Sequence, residues 1–560
     1  MHVYLFEAKS IQAYIFKSGK LKDLIAASER LDRLVDDREH STLNRVLESA
    51  GLESNLLDAD KQVEGEVIGF TRCKGGAFYA FCVQAEPLEK LRRLWTLTVL
   101  QLFPGLEFTD ALTQGVNLSE AMAKGHSQMA MSRNAPTIKF PIATAVCSNA
   151  PRSGLAAVPV SSTAQREMMS DAKEYIDIDT EHHRQAYHLL ELRKDTLLGK
   201  FTGDALPDDL SFPLDIEDFP AFKAADGERQ VVRDLALIHV DGNGIGLILR
   251  QLQKALQGKA DSEFSGAFRQ FSTALGNATQ AAATEATKWL YESNLKNHPD
   301  NNKLLPMRPI VLGGDDITVL CQADLAIGYA ERFCEAFKKF SEQELKSLHN
   351  KYLKNTELKP YLTASGGVLY HKASHPFVTC HQLVEGLCDE AKLVTKAVDK
   401  NVGPAALSFY RISNILAEDM QQLREMTQSI RVAPDKPAIL SSLGGYLLEA
   451  VADRDNSLPK LREMADLARK KKDSGVSLPI SIAKLRQMHS HLASGDVNEA
   501  KRIHERAKEQ QQKQRGYSDL DPWLSYIDPW LSGNGDKSGL ADLLIYAHFN
   551  QPEQMEVDNG

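Results

Sequence analysis

Asp315 and Asp316 follow a glycine pair, Gly313-Gly314. The apolar run Pro309-Ile310-Val311-Leu312 leads in, and the β-prone run Ile317-Thr318-Val319-Leu320 leads out. Strand-like runs on either side of a glycine pair predict a β-hairpin with the acids at its tip. Glycine lets the backbone approach phosphate closely, and carboxylate oxygens are the ligands magnesium takes. The pattern suits a nucleoside triphosphate with its metal ions. Taken alone, Gly-Gly-Asp-Asp is also the sequence of an ordinary surface turn.

A third acid changes the balance. The strand pattern Leu235-Ala236-Leu237-Ile238-His239-Val240 ends in Asp241-Gly242-Asn243-Gly244-Ile245-Gly246, and a helix pattern follows. Free N–H groups at a helix start can cradle phosphate, so Gly242 and Gly244 are candidate nucleotide contacts. The spacing is not that of a dinucleotide fingerprint, because the acid precedes the glycines, and it is not that of a P-loop. If strand 235–240 pairs with the hairpin, Asp241 meets Asp315 and Asp316. Three carboxylates in one cleft repel one another unless cations bind. Such a set matches two-metal phosphoryl transfer, with one ion activating a hydroxyl and the other stabilising the leaving group. Neighbouring strand residues face opposite ways, so both hairpin acids can serve only at the turn; otherwise one of them supports the hairpin.

Two further features lie near this set. Ser365-Gly366-Gly367, in the strand pattern 361–370, offers a hydroxyl and open backbone. Lys392, on the helix after it, can be read as a triphosphate contact or as a solvated helical lysine. His239, His371 and His375 have no ligand spacing and read as structural or surface residues.

The elements that must position these residues form two similar series. In each, a strand, helices, a Gly-Gly hairpin, a helix and a further strand follow in order. The first series has residues 2–6 with Glu7 at the end, helical spacing from Ser10 to Val35, and a hairpin tip at Gly75-Gly76. A helix from Pro87 to Leu102 and a strand from Phe140 to Val146 complete it. Where the second series carries Asp315-Asp316, the first carries Ala77-Phe78. Two related folds with one live site is one reading; two unrelated α+β domains that share a common turn is the other. Residues 148–230, with Pro, Ser and acidic stretches, read as a linker or insert with some helix. From Ser413 onward helical spacing predominates (415–430, 438–452, 459–472, 480–493 and 497–514). Asp521-Pro522-Trp523-Leu524-Ser525 recurs as Asp528-Pro529-Trp530-Leu531-Ser532. The expected boundaries are 1–147, 148–230, 231–412, 413–550 and a disordered tail at 551–560.

At 560 residues the chain exceeds a single core. Its 43% apolar and 25% charged residues are those of a soluble protein, and a net charge of −9 argues against nonspecific coating of nucleic acid. Seven scattered cysteines without a C-x-x-C argue against a zinc ribbon and fit a reducing cytoplasm. No stretch approaches the roughly 20 apolar residues that span a bilayer. No signal peptide is evident at the start.

The run Leu5-Phe6-Glu7-Ala8-Lys9-Ser10-Ile11-Gln12-Ala13-Tyr14-Ile15-Phe16, with Lys20-Leu21-Lys22 and Ala26-Ala27-Ser28, resembles the first palm domain of the large polymerase-like subunit of type III CRISPR effector complexes. Val240 to Gly246, Gly313 to Asp316, Ser365-Gly366-Gly367 and Ala391-Lys392 resemble that family's second, catalytic palm. The resemblance covers most of residues 1–150 and 230–410. It implies an α+β fold of two ferredoxin-like palm/cyclase domains plus a C-terminal helical bundle, with a degenerate first palm. The implied activity is a cyclic oligoadenylate synthase that joins two ATP molecules 3′-oxygen to α-phosphate and releases pyrophosphate. Asp241, Asp315 and Asp316 would be catalytic and hold Mg2+ or Mn2+; Gly313, Gly314 and Lys392 would line the triphosphate. CRISPR RNA, target RNA and other effector subunits are the implied partners. Many relatives begin with an HD nuclease domain and carry a cysteine zinc module between the palms. Neither pattern stands in this sequence, so no DNase and no zinc are expected, and the chain reads as a reduced subunit or a stand-alone relative. Glu7 stands where relatives often carry Asp. A catalytically idle RNA-guided scaffold and a diguanylate-type cyclase are the competing functions.

Overall fold

The structure, a computed structural model, describes residues 1–17, 20–135, 144–159, 175–190, 196–207, 210–214, 216–219, 234–297, 303–413, 417, 419–431, 438–452, 454–469, 481–512 and 537–550. Its first sheet contains β1 (His2–Lys9), β2 (Gly69–Lys74), β3 (Ala77–Cys82) and β4 (Glu107–Gln114). Helices α1 (Ile11–Phe16), α2 (Leu21–Asp32) and α3 (Thr42–Ser49) lie between β1 and β2. Helix α4 (Glu86–Leu102) joins β3 to β4, and α5 (Leu118–Ser132) follows. The spatial order is β2-β3-β1-β4, antiparallel throughout. Helices α6 (Ile178–Leu190) and α7 (Leu197–Thr202) then lead to the second sheet.

That sheet starts with β5 (Leu235–Asn243), followed by α8 (Ile245–Ala255) and the long α9 (Asp261–Asn297). The hairpin β6 (Met307–Leu312) and β7 (Asp316–Gln322), α10 (Ala326–Leu348), β8 (Thr363–His371) and α11 (Phe377–Val398) come next. Strand β9 (Ala406–Arg411), helix α12 (Met420–Gln428) and the short strands β10 (Ser429–Ile430), β11 (Ile439–Leu440) and β12 (Gly445–Leu447) follow. The spatial order is β12-β9-β8-β5-β7-β6, antiparallel except for β8 with β9. In both sheets the first strand is central, the second member of the hairpin lies on one side, and the last strand of the motif lies on the other. This is the split β-α-β arrangement of ferredoxin-like folds.

Packing explains these choices. Leu235 to Val240 are buried almost throughout, because β5 is covered on both faces, and such strands read as continuous apolar runs. Ala274, Ala278, Ala282 and Ala286 of α9 are buried at helical spacing, a surface flat enough for close approach by α10. The core crosses between the halves. Tyr4 and Phe6 of the first sheet share one apolar cluster with Leu237 and Leu369 of the second, and Ser28 of α2 donates to the Ile310 carbonyl of β6.

Two expectations change. The last strand of the first motif is β4, not Phe140–Val146; of that range, 140–143 lie outside the described residues and 144–146 form no strand. β4 is an edge strand, and its Glu-Phe-Thr-Asp-Ala-Leu-Thr-Gln alternation is too polar for an apolar-run criterion. Residues 438–452, expected as helix, hold β11 and β12, and β12 caps the sheet edge beside β9. The recurring Asp-Pro-Trp-Leu-Ser segments and the tail 551–560 lie outside the described residues. Helices α13 (Leu458–Arg469), α14 (Ile482–Ala493), α15 (Val497–Gln512) and α16 (Leu540–Phe549) make up the described C-terminal part. Among the described residues no helix is long and apolar enough to cross a membrane.

Candidate active site

Asp241 is the direct cross-strand partner of Asp316 on one side and of Ser365 on the other. Directly opposed residues share a face, so the Asp241 and Asp316 carboxylates project together. Gly313 N–H donates to the Asp316 carbonyl at 2.8 Å, closing a turn whose two tip residues are Gly314 and Asp315. Asp315 turns back to within electrostatic reach of Asp241. The three acids, distant in sequence, therefore form one cluster.

The cluster is electrostatically stressed. Burial, then the charges of Asp241 and Asp316, push the Asp315 carboxyl up to about 8, while Arg72 pulls it down. Burial and Asp241 push Asp316 up to about 6, against a hydrogen bond from Gln12. That bond, Gln12 Nε2 to Asp316 Oδ2, is 2.7 Å long. Lys392 Nζ donates to Asp241 Oδ2. His381 Nε2 meets Gln12 Oε1, and the imidazole lies 4.6 Å from the Phe16 ring. Burial, then His239, pushes His381 down to about 3, so it is neutral and donates to the glutamine.

A cleft of 510 Å³ opens beside the acids, lined from one sheet by Gly313, Gly314, Asp315 and Asp316 and from the other by Arg72, Gly75 and Gly76. The two hairpin tips meet there: a Cβ on Gly75 would lie 3.6 Å from Gly314 N. Each is the first tip residue of its turn, so equivalent points of the two folds touch, as at a two-fold interface. This shifts the equivalence read from the glycine pairs by one residue. Glu7 pairs with Ala77 as Asp241 pairs with Asp316. The counterparts of Asp315 and Asp316 are therefore Gly76 and Ala77, because the first turn spans both glycines (φ +63° and +70°) and the second spans Gly314 and Asp315.

The other candidates separate. Gly313 has no room for a side chain, since a Cβ would fall 1.7 Å from Asp316 Oδ1. A Cβ on Gly242 would fall 3.2 Å from Asp315 Cβ, so this glycine makes space for the acid. Gly244 (φ +80°) faces the Asn401 carbonyl, 2.8 Å from where a Cβ would be; its requirement is conformational. Ser365 is fully buried and its hydroxyl accepts from Asn243 Nδ2 at 2.9 Å, so it is no open phosphate contact. Gly367 is where α11 crosses, with the Val384 carbonyl 2.4 Å from a would-be Cβ. Lys392 stands at Asp241, placed there by α11. Gln12 and His381 had no assigned role in the sequence; Gln12 lay inside the motif run, but its reach across to Asp316 depends on the docking of the two folds. His239 is a buried core residue 3.1 Å from the Thr318 hydroxyl, in keeping with a structural reading.

The donor chemistry fits a divalent cation: hard carboxylate oxygens, with crowded negative charge visible in the raised Asp315 and Asp316 values. Asp241, Asp315 and Asp316 would hold it. In the arrangement seen, Lys392 compensates Asp241, and among the described residues no group of three His, Cys, Asp or Glu side chains is set as a metal cage.

Among the described residues this is an α+β protein of two large sheets and the separate two-stranded pair β10-β11, with a palm domain at its centre. Residues 234–401, which carry all three acids and Lys392, match the family model of the Cas10/Cmr2 second palm domain. The motif resemblance is thus borne out over that span. Among solved structures the chain is similar to a Csm1-Csm4 cassette in complex with cA4, at 13% identity over 98% of this chain and 69% of that one, with a TM-score of 0.48. It is also similar to the cassette in complex with AMPPNP (12%, 98%, 70%, TM-score 0.48) and to Csm1 in T. onnurineus (13%, 98%, 69%, TM-score 0.44). At TM-scores under 0.5 these likenesses carry no further weight. No curated protein matches the chain.

Proposed function

We propose that this protein is a nucleotidyltransferase that makes cyclic oligoadenylate from ATP, with Asp241, Asp315 and Asp316 as its catalytic acids. The observation that carries the reading is the convergence of these three carboxylates beside a cleft between two like folds, within a Cas10/Cmr2 second palm. Two glycine-bearing tips leave backbone open on both sides of the cleft, which suits two nucleotides facing each other. The 3′-oxygen of one attacks the α-phosphorus of the other and pyrophosphate leaves. Mg2+ or Mn2+, when bound, activates the hydroxyl and offsets the leaving charge. Gln12 fixes the Asp316 carboxylate, and Lys392 holds Asp241 until a nucleotide and its cations compete for it. Gly313 and Gly314 bring bare backbone to the phosphates. CRISPR RNA, target RNA and partner subunits are the proposed regulators and neighbours, in the cytoplasm.

The idle-scaffold reading has two observations on its side: Lys392 already neutralises Asp241, and among the described residues no three-ligand cage is formed. Incubating the full chain with each labelled nucleotide and Mn2+, with and without target RNA, separates the readings. The expected result is an oligoadenylate from ATP, lost by at least about 100-fold in Asp315→Ala/Asp316→Ala. Turnover of GTP alone would favour the diguanylate type, and no turnover of any nucleotide the scaffold.

A further inference from the structure

Arg72 faces the acids from the opposite fold. β2 carries a bulge: Phe70 pairs with Ala80 and Arg72 with Tyr79, leaving Thr71 unopposed. Bulges re-aim side chains, and they recur next to active sites. Here the bulge brings Arg72 to the meeting point of the two tips. Its Nη2 would lie 3.8 Å from a Cβ on Gly75, the same point that is 3.6 Å from Gly314 N. Arg72 lines the 510 Å³ cleft together with Asp315 and Asp316. Its orientation is built. Nη1 donates to Tyr79 Oη at 3.4 Å, the guanidinium lies 5.5 Å over the Tyr79 ring, and Tyr79 Oη in turn donates to Glu7. Glu7, the positional counterpart of Asp241, thus serves the site from the fold that lacks the acid pair. Lys392 is paired with Asp241, Lys200 with Asp32 at 2.7 Å and Asp36 at 3.4 Å, and Arg38 with Asp36 at 3.5 Å; Lys74, next to the tip, lines the cleft as well.

We propose that Arg72 is a catalytic residue supplied by the first fold, its guanidinium binding the phosphates of the nucleotide held at Asp315 and Asp316. The inference rests on the cyclase reading. A guanidinium presents a planar fork that matches phosphate oxygens, and it stays charged at any working pH. In the reaction, the 3′-oxygen of one ATP bonds to the α-phosphorus of the other, and the bond from that phosphorus to the bridging oxygen breaks. The electron pair leaves with pyrophosphate, and the hydroxyl proton passes to water. Arg72 meets the charge that develops on the departing group.

The test compares wild type, Arg72→Met, Arg72→Lys and Tyr79→Phe by pyrophosphate release with ATP and Mn2+, by binding of ATP and of AMP, and by thermal melting. Arg72→Met is expected to lower kcat by about 100-fold. It should weaken ATP binding on the order of tenfold and leave AMP binding unchanged, since the lost contact is to phosphates beyond the first. Arg72→Lys should recover part of the loss, because charge remains without the fork. Should Arg72→Met fail to fold, Tyr79→Phe, which removes only the orienting hydroxyl, is expected to raise the KM for ATP at least about threefold with an unchanged melting temperature. A wild type that turns over ATP, with Arg72→Met matching it within twofold in kcat and in the ATP-over-AMP preference, overturns the inference alone. A wild type that makes no product from any nucleotide overturns the cyclase reading and the role of Arg72 with it.

Discussion

At the scale of single residues, the hairpin tip discriminates between two adjacent glycines. A methyl on Gly313 would fall 1.7 Å from Asp316 Oδ1, whereas nothing lies within 4 Å of one on Gly314. Gly313→Ala is therefore expected to swing the Asp316 carboxylate away from Gln12 and Asp241. Turnover of ATP should drop at least about tenfold, with a stability loss of about 1–3 kcal/mol. Gly314→Ala should leave the melting temperature within a few degrees. Parallel melting curves and rate measurements on the two variants check this. Both glycines read alike in sequence, and only the turn register separates them.

Elements set the site through close approaches. Helix α11 carries Lys392 to Asp241, and it can do so because Gly367 of β8 leaves no side chain beneath it. Gly367→Ala would drive a methyl into the Val384 carbonyl, 2.4 Å away, and lift the helix. The expected cost is about 1–3 kcal/mol, together with loss of the Lys392–Asp241 pair. Denaturant unfolding measures the first and nucleotide turnover the second. The same helix is fastened from its far side: Glu390 takes Arg424 Nε at 2.7 Å. Arg424 also lies 3.9 Å from Asp542 of α16, which accepts from Ser442, Leu443 N and Tyr446 at 3.0, 2.8 and 2.7 Å. Burial pushes the Asp542 carboxyl up to about 6 even against Arg424, so these partners are needed to keep it ionised. Asp542→Ala is expected to cost about 3 kcal/mol in urea unfolding, because it strips a buried cluster of its shared acceptor. An unchanged midpoint would show that α16 is not anchored there.

For the whole molecule, the join between the folds has its own pH dependence. Glu29 of α2 is 2% exposed and accepts from Leu197 N at 3.0 Å. Burial pushes its carboxyl up to about 7 from an ordinary 4.5, while the Leu197 bond pulls the other way. Between those values the folded chain holds a proton that the unfolded chain has released. Stability from this group is therefore full below pH 4.5 and falls as pH rises to 7, by up to ~3 kcal/mol. Glu29→Gln keeps the acceptor and removes the charge. The variant is expected to melt like wild type at pH 4.5 and at a higher temperature at pH 8. Equal melting temperatures at both pH values would exclude a buried Glu29 charge. The contact of the two tips at Gly75 and Gly314 belongs to this scale too, since neither fold closes the cleft by itself.

Local chemistry is written in the chain directly. Asp241 after an apolar strand, the Gly-Gly-Asp-Asp hairpin and the repeated order of elements all follow from apolar periodicity and turn residues, which act over a few neighbours. Strand β4 escaped that reading because an edge strand with one wetted face lacks an apolar run, and residues 438–452 because two- and three-residue strands are too short for any period. What only the tertiary structure decided is who meets whom across hundreds of residues. It buried the Ser365 hydroxyl and set Gly244 against the Asn401 carbonyl, brought Gln12, His381 and Arg72 to the acids, and made Gly76 and Ala77, one register step from the glycine-pair alignment, the counterparts of Asp315 and Asp316. Those outcomes depend on how two sheets dock and how each turn is closed, and docking is set by the summed shape of packed faces, a quantity that no single stretch of sequence carries.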